Sequence, residues 1–106
     1  MAHELSHEIL WTEPTLCDLE RIDRYLRRRN PTAAKKVGSA ILRRVGLLCA
    51  HPELGPVWDE DDRWRSVAAR PYRVFYRILP ADRIVEICHV RHKARSGPTL
   101  DDVLTD

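Results

Sequence analysis

Residues 72–91 read YRVFYRILPADRIVEICHVR, and this stretch decides how the rest of the chain must be arranged. Residues 72–79 and 84–91 are both rich in β-branched and aromatic residues and alternate with a period of two, which predicts two β-strands. Between them, residues 80–83 have the composition of a hairpin turn. The stretch therefore predicts an antiparallel β-hairpin, and the other elements must pack against the sheet that contains it.

The two sides of this hairpin differ in character. In the first strand, an apolar set, Tyr72, Val74, Tyr76 and Ile78, alternates with a mixed set, Arg73, Phe75, Arg77 and Leu79. In the second strand, one set contains Val85, Ile87, His89 and Arg91, and the other contains Ile84, Glu86, Cys88 and Val90. Because one side of a small sheet must be covered, we expect the exposed side to carry some of Arg73, Arg77, His89 and Arg91.

Upstream of the hairpin, the sequence predicts a strand followed by two helices. Residues 5–11 alternate with a period of two, which predicts a strand, and Thr12 is a suitable N-cap for a helix that follows it. The apolar stripe of this helix consists of Leu16, Leu19, Ile22 and Leu26. Asp18 is expected among its solvent-facing residues. Asn30 and Pro31 end that helix and begin the next. The apolar residues of the second helix recur at spacings of three and four: Ala34, Val37, Ile41, Val45 and Leu48. The two helices are predicted to form a hairpin.

The remaining segments complete the fold. Residues 52–63 are expected to be an irregular acidic loop, residues 65–69 a short strand, and about 96–106 a flexible C-terminal tail. The resulting order, β-α-α-β-β-β, predicts an α+β fold in which an N-terminal helical hairpin packs on a small antiparallel sheet. At 106 residues, the chain (1–106) is expected to be a single domain.

Charge is distributed unevenly along the chain. The formal net charge is only +2, but residues 63–95 contain nine Lys or Arg residues and two acidic ones. Such a surplus favours an anionic partner, either a phosphate backbone or an acidic protein segment. The ordinary alternative is a solvated sheet surface on which arginines maintain solubility. The proposed binding set consists of the strand and turn arginines of this region: Arg65, Arg70, Arg73, Arg77, Arg91 and Arg95.

Other familiar chemistry has no sequence signal. The three cysteines are far apart and form no C-x-x-C pair, so no disulfide framework or metal site is expected, and no motif indicates a cofactor. No apolar run is long enough to span a membrane and no signal peptide is evident, so a cytoplasmic location is expected. His89 and His92 lie among several cations at the end of the last strand, where a neutral imidazole is a candidate base. Both also have an ordinary structural interpretation.

Several short motifs together resemble the RelE/ParE toxin superfamily. They are Ile9-Leu10-Trp11-Thr12, Asn30-Pro31-Thr32-Ala33-Ala34, His51-Pro52-Glu53-Leu54-Gly55, Tyr72-Arg73-Val74-Phe75-Tyr76-Arg77, and the ending Val90-x-His92-x-x-Arg95. The resemblance covers residues 9–95. It implies the toxin of a type II toxin–antitoxin system, associated with plasmid stabilisation and neutralised by a cognate antitoxin whose C-terminal segment wraps around it.

The resemblance leaves two targets open. ParE-like members poison DNA gyrase, whereas RelE-like members cut mRNA in the ribosomal A site. Arg73 matches an arginine of the RNA-cutting branch and Arg95 is a second match, but no tyrosine follows Tyr76 to match that branch's C-terminal catalytic tyrosine. An mRNA interferase would have to use Arg73, His89, His92 and Arg95. We therefore favour a non-enzymatic, ParE-like gyrase inhibitor, with the RelE-like ribonuclease and a toxin of reduced potency that only binds its antitoxin as alternatives.

Overall fold

A computed structural model of the chain describes residues 6–92. Arg95 and the expected tail at about 96–106 lie outside these residues. The described chain contains two helices and five strands: β1 (Glu8–Trp11), α1 (Glu13–Arg29), α2 (Pro31–Leu47), β2 (Val57–Trp58), β3 (Asp61–Ala69), β4 (Tyr72–Leu79) and β5 (Ile84–His92). The strands form one sheet in the order β1-β5-β4-β3-β2. The predicted α+β fold is confirmed.

The sheet differs from the prediction at its two edges. At one edge, β1 pairs with β5 in parallel, so the sheet is mixed rather than wholly antiparallel. At the other edge, β2 lies within the segment expected to be a loop, and β3 begins at Asp61 instead of Arg65. Aspartate is depleted in strands, so the acidic residues 59–62 predicted a loop where the strand begins. The sheet has five strands where four were expected.

The helix boundaries follow the predicted caps. The Thr12 hydroxyl accepts a hydrogen bond from Thr15 N–H at 3.4 Å, and the Asn30 side chain accepts one from Ala33 N–H at 3.1 Å. Asn30 also donates its own backbone N–H to the Leu26 carbonyl, so one residue ends α1 and begins α2. The corner between the helices is therefore a single residue long.

The main core lies between the helical hairpin and one side of the sheet. Val74 and Tyr76 of β4, together with Val85 and Ile87 of β5, are fully buried. They pack with residues of α2 and the segment after it, Ile41, Val45 and Leu48, and with partly buried residues of α1, Leu19, Ile22 and Leu26. The helices therefore cover the apolar set of β4, as expected from its alternation.

The other side of the sheet, here called the open side, is partly covered by the chain's own aromatic residues. The ring of Trp58 packs edge-on against Phe75 at 5.1 Å between centroids, and Trp64 packs at a tilt against His89 at 6.0 Å. Phe75 and His89 are only 1% and 3% exposed. The open side is therefore less accessible than the sequence alone suggested.

Candidate functional site

Strand register brings two of the predicted arginines together. Arg73 of β4 pairs directly with Arg91 of β5, and both lie on the open side, because their neighbours Val74 and Val90 face the helices. Directly opposed cations repel each other unless an anion compensates their charge. The pair therefore concentrates positive charge on the open side of the sheet, where a nearby anion would be stabilising.

Asp18 of α1 compensates one member of the pair. Its Oδ2 accepts hydrogen bonds from Arg91 Nη1 at 2.7 Å and from the Val90 backbone N–H at 3.0 Å. Asp18 is only 4% exposed. Burial alone would raise its pKa, but the His89 side chain, the Val90 N–H and the Arg91 charge together hold the pKa of the Asp18 carboxyl below its usual value. The carboxylate therefore stays ionised and fixes Arg91 at neutral pH.

Within the part of the chain that the structure describes, the charge of Arg73 has no such compensation. Its Nη1 donates a hydrogen bond to Ser66 Oγ at 3.0 Å, and Ser66 is buried. Among residues 6–92, no carboxylate lies within ion-pair distance of Arg73. Arg73 is half-buried as a residue, and only its Nη1 has a side-chain hydrogen bond to another described residue, so the guanidinium has further donors for an external anion.

The two candidate histidines do not converge on Arg73. His89 is 3% exposed, its Nδ1 lies 3.5 Å from Asp18 Oδ2, and its ring packs against Trp64. His92 is exposed, but it pairs with Tyr72 on the helix-facing side of the sheet, and its ring packs edge-on against the Tyr72 ring at 5.3 Å. One histidine is thus enclosed, and the other lies on the side of the sheet opposite to Arg73.

The remaining predicted arginines are dispersed. Arg77 lies two residues beyond Phe75 on the open side and is paired with Glu86 of β5. Arg65 pairs with Tyr76 on the helix-facing side, where its Nη1 donates to the Gly55 carbonyl at 2.8 Å. Arg70 is exposed in the turn between β3 and β4. Of the five arginines of the set that the structure describes, Arg73 and Arg91 lie together, with Arg77 further along the same side, whereas Arg95 lies outside the described residues.

The sequence interpretation missed the role of α1 in closing the edge of β5. Beyond the end of β1, the hydroxyls of Thr12 and Thr15 each donate to the Ile87 carbonyl at 2.7 Å, and Asp18 accepts from Val90 N–H. The assignment of Asp18 to solvent was wrong, as was the place of Leu16 on the buried stripe, since Leu16 is 50% exposed. The spacing of Thr12, Thr15 and Asp18, each three residues from the next, was the available signal for this polar stripe.

A second feature is an apolar groove between the two helices. It has a volume of about 190 Å³ and is lined mainly by apolar side chains of both helices, among them Leu19, Ile22, Leu26, Val37 and Leu42. Leu42 is 61% exposed at this groove. Exposed apolar surface of this kind is typical of a protein-binding site.

The described residues give no sign of a metal centre or a membrane span. Within residues 6–92, no group of three or more His, Cys, Asp or Glu side chains could hold a metal ion. In the same range, neither helix is long and apolar enough to cross a membrane. The features that this part of the chain does present are the arginine pair of the sheet and the apolar groove between the helices.

Comparisons of the sequence with known proteins find a matching family and a curated relative. The family model described as the ParE toxin of the type II toxin–antitoxin system, parDE, matches residues 9–97. Toxin RelE2 of Caulobacter vibrioides is 31% identical over 88 residues, which cover 83% of this chain and 97% of the relative.

Solved structures share the fold. A structure of the chromosomal ParDE system from P. aeruginosa has a TM-score of 0.70 at 18% identity, with 83% of this chain and 97% of that chain covered. The RelBE2 toxin–antitoxin complex from Mycobacterium tuberculosis has a TM-score of 0.59 at 22% identity, with coverages of 82% and 98%. The match of the family model over most of the sequence shows that the chain belongs to the ParE toxin family of type II toxin–antitoxin systems.

Proposed function

We propose that this toxin acts in the cytoplasm by binding DNA gyrase in the ParE manner and does not cut mRNA. The observation that carries the proposal is the placement of the two histidines relative to Arg73. A general base must reach the proton that it removes, within hydrogen-bond distance or through one water. His89 is enclosed by Trp64 and Asp18, and His92 lies on the other side of the sheet. This arrangement favours a binding role for Arg73 and Arg91.

The direct test is a supercoiling assay with purified gyrase and relaxed plasmid. We expect the toxin to inhibit supercoiling and to trap a cleaved gyrase–DNA complex that protein denaturation reveals as linear DNA. Arg73→Ala is expected to weaken inhibition, because it removes the uncompensated guanidinium, whereas the exposed and distant Arg83→Ala serves as the control. Unaltered supercoiling at saturating toxin would discard the proposal.

A ribosome-dependent ribonuclease is the second candidate. It is favoured by the relative named RelE2 and by the uncompensated charge of Arg73, which could hold a phosphate beside Arg91. Primer extension on translated messages after induction distinguishes the two candidates. Cleavage that disappears with Arg73→Ala would support the enzyme, and intact messages together with inhibited gyrase would support the ParE mode. Normal growth after induction would indicate a toxin of reduced potency.

A cognate antitoxin is the partner that we propose with either activity. Relatives of similar fold were solved as RelBE complexes from M. tuberculosis and Pyrococcus horikoshii. An antitoxin segment with apolar and acidic residues would fit the apolar groove between α1 and α2 and compensate the basic sheet region. The neighbouring gene is the first place to look, since we expect a short upstream reading frame with a DNA-binding N-terminus and an acidic tail. Co-purification of its product with this chain tests the partnership.

A further inference from the structure

The helical hairpin carries a surplus of positive charge that is separate from the arginine pair of the sheet. Residues 13–47 contain nine Lys or Arg residues and four acidic ones. One of these acids, Asp18, is buried against β5 and already bound to Arg91. The exposed part of the hairpin is therefore more basic than the sequence count indicates.

Four of these cations lie on the side of the hairpin turned away from the core. At about 100° per residue, Arg24 is roughly half a turn and Arg28 roughly a third of a turn from Ile22, which packs against the core. On α2, Lys36 and Arg43 are roughly 140° and 160° from the core residue Ile41. All four are exposed. This outer basic face is defined by Arg24, Arg28, Lys36 and Arg43.

Most of the outer basic face lacks compensating acids. Arg24 pairs with Glu20 at 2.7 Å. In the described part of the chain, no carboxylate lies within ion-pair distance of Arg28, Lys36 or Arg43. Within residues 6–92, three of its four charges therefore have no acidic partner and are available to a ligand.

We propose that the outer basic face binds the phosphate backbone of duplex DNA. Lys36 and Arg43 are seven residues apart, which is about 10 Å along a helix, and packed helices lie about 8–10 Å apart. The cations therefore cover a patch about as wide as a groove of B-DNA, whose two grooves are about 6 and 12 Å wide, so they can reach phosphates on both sides of it.

The chemistry of the patch favours a phosphate backbone over a protein. Between Lys36 and Arg43, one turn from each, lie Ser39 and Ala40, which offer no large apolar anchor. Protein partners rely on such anchors, whereas backbone binding to DNA needs mainly charge. The choice of DNA over RNA rests on the proposed function, because gyrase acts on duplex DNA.

The test is fluorescence anisotropy of the full chain with a labelled 20-base-pair duplex over a range of salt concentrations. The triple variant Arg28→Gln, Lys36→Gln, Arg43→Gln is expected to bind about tenfold more weakly and to lower the salt slope by about 3. The control is Arg63→Gln, Arg70→Gln, Arg83→Gln, which removes the same charge from exposed positions elsewhere. Equal weakening in both triple variants, or no weakening in the first, would overturn the inference.

Competition identifies the polyanion. Unlabelled duplex is expected to displace the labelled duplex at lower phosphate concentration than transfer RNA or phosphatidylserine vesicles. Displacement by either of these at lower concentration would reject DNA as the partner. Supercoiling assays on the same samples separate this inference from the proposed function. DNA binding without gyrase inhibition would overturn the proposed function alone, and inhibition without DNA binding would overturn this inference alone.

Discussion

At the scale of single residues, Asp18 connects the helical hairpin to the arginine site. Its carboxylate accepts hydrogen bonds from Val90 N–H and Arg91 in a position that is 4% exposed. Breaking a buried charge network leaves other buried groups without partners, which is among the costly changes that one substitution can make. Asp18 therefore couples the stability of the fold to the position of Arg91.

We expect Asp18→Asn to lower the free energy of unfolding at pH 7 by about 3 kcal/mol, because an amide cannot compensate the charge of Arg91. The folded pKa of Asp18 is lowered, so its contribution is complete above the unfolded pKa of about 3.9 and is lost as pH falls through the folded value. Urea denaturation at pH 7 and pH 3 should show a smaller difference between wild type and variant at pH 3. The control Asp23→Asn, in an exposed pair with Arg27, should change little. A pH-independent difference would contradict this role.

The cysteines are expected to differ sharply in reactivity. Burial, and then the Glu86 charge, raises the pKa of the Cys88 thiol to about 12, whereas Cys17 is exposed. Because the thiolate is the reactive form, a disulfide reagent at pH 8 should modify Cys17 rapidly and Cys88 only on unfolding. The fast phase should disappear in Cys17→Ser. Rapid modification of Cys88 in the native protein would show that β5 opens readily.

At the scale of elements, a single tyrosine holds the loop after α2 against the sheet. The Tyr76 hydroxyl donates to the Pro52 carbonyl at 2.6 Å and accepts from Gly55 N–H at 2.9 Å. Gly55 is packed so closely on β3 that an added Cβ would collide with the Ser66 carbonyl. The loop is thus fixed by contacts with β3 and β4. Arg65 of β3 adds a further contact by donating a hydrogen bond to the Gly55 carbonyl.

We expect Tyr76→Phe to destabilise the protein by about 2 kcal/mol, because a buried N–H and a partly buried carbonyl lose their partner. Burial raises the pKa of the Tyr76 hydroxyl, so its stabilisation is complete below the unfolded value near 10 and is lost as pH rises through the folded value. Urea denaturation should therefore show the difference narrowing at high pH. Tyr25→Phe removes the same atom from an exposed ring and is the matched control. Equal effects of the two substitutions would argue against loop anchoring.

At the scale of the whole molecule, the chain has three candidate binding surfaces. The open side of the sheet carries Arg73 and Arg91, the apolar groove lies between α1 and α2, and the outer basic face lies on the far side of the helices. A toxin with separate surfaces could be bound by an antitoxin at one and still contact its target at another. Which surfaces the antitoxin covers therefore decides how neutralisation works.

We expect Leu42→Glu to weaken antitoxin binding at least tenfold, about 1.4 kcal/mol, because it places a charge at the rim of the apolar groove. Leu42 is 61% exposed, so the thermal midpoint of unfolding of the free toxin should hardly change. Titration calorimetry with the product of the upstream gene measures the effect. Leu54→Glu, at an exposed leucine in the loop after α2, is the control. Unchanged affinity of the Leu42 variant would place the antitoxin elsewhere.

Local chemistry explains what the sequence alone determined. The caps at Thr12 and Asn30, the apolar spacing of α2 and the alternation of β4 depend on neighbours a few residues away, and these features predicted the helical hairpin, the β-hairpin and the α+β fold. The motifs in the same segments pointed to the toxin superfamily.

Only the tertiary structure decided which residues form the site. The burial of Asp18 depends on contacts with residues about 72 positions away, and the separation of Arg65 from Arg73 depends on strand register. The parallel pairing of β1 and the short strand β2 likewise arise from long-range edge contacts. A period of two in the sequence predicts that side chains alternate between the two sides of a strand. It does not predict which side the helices will cover, because the free energy of packing the whole chain determines that.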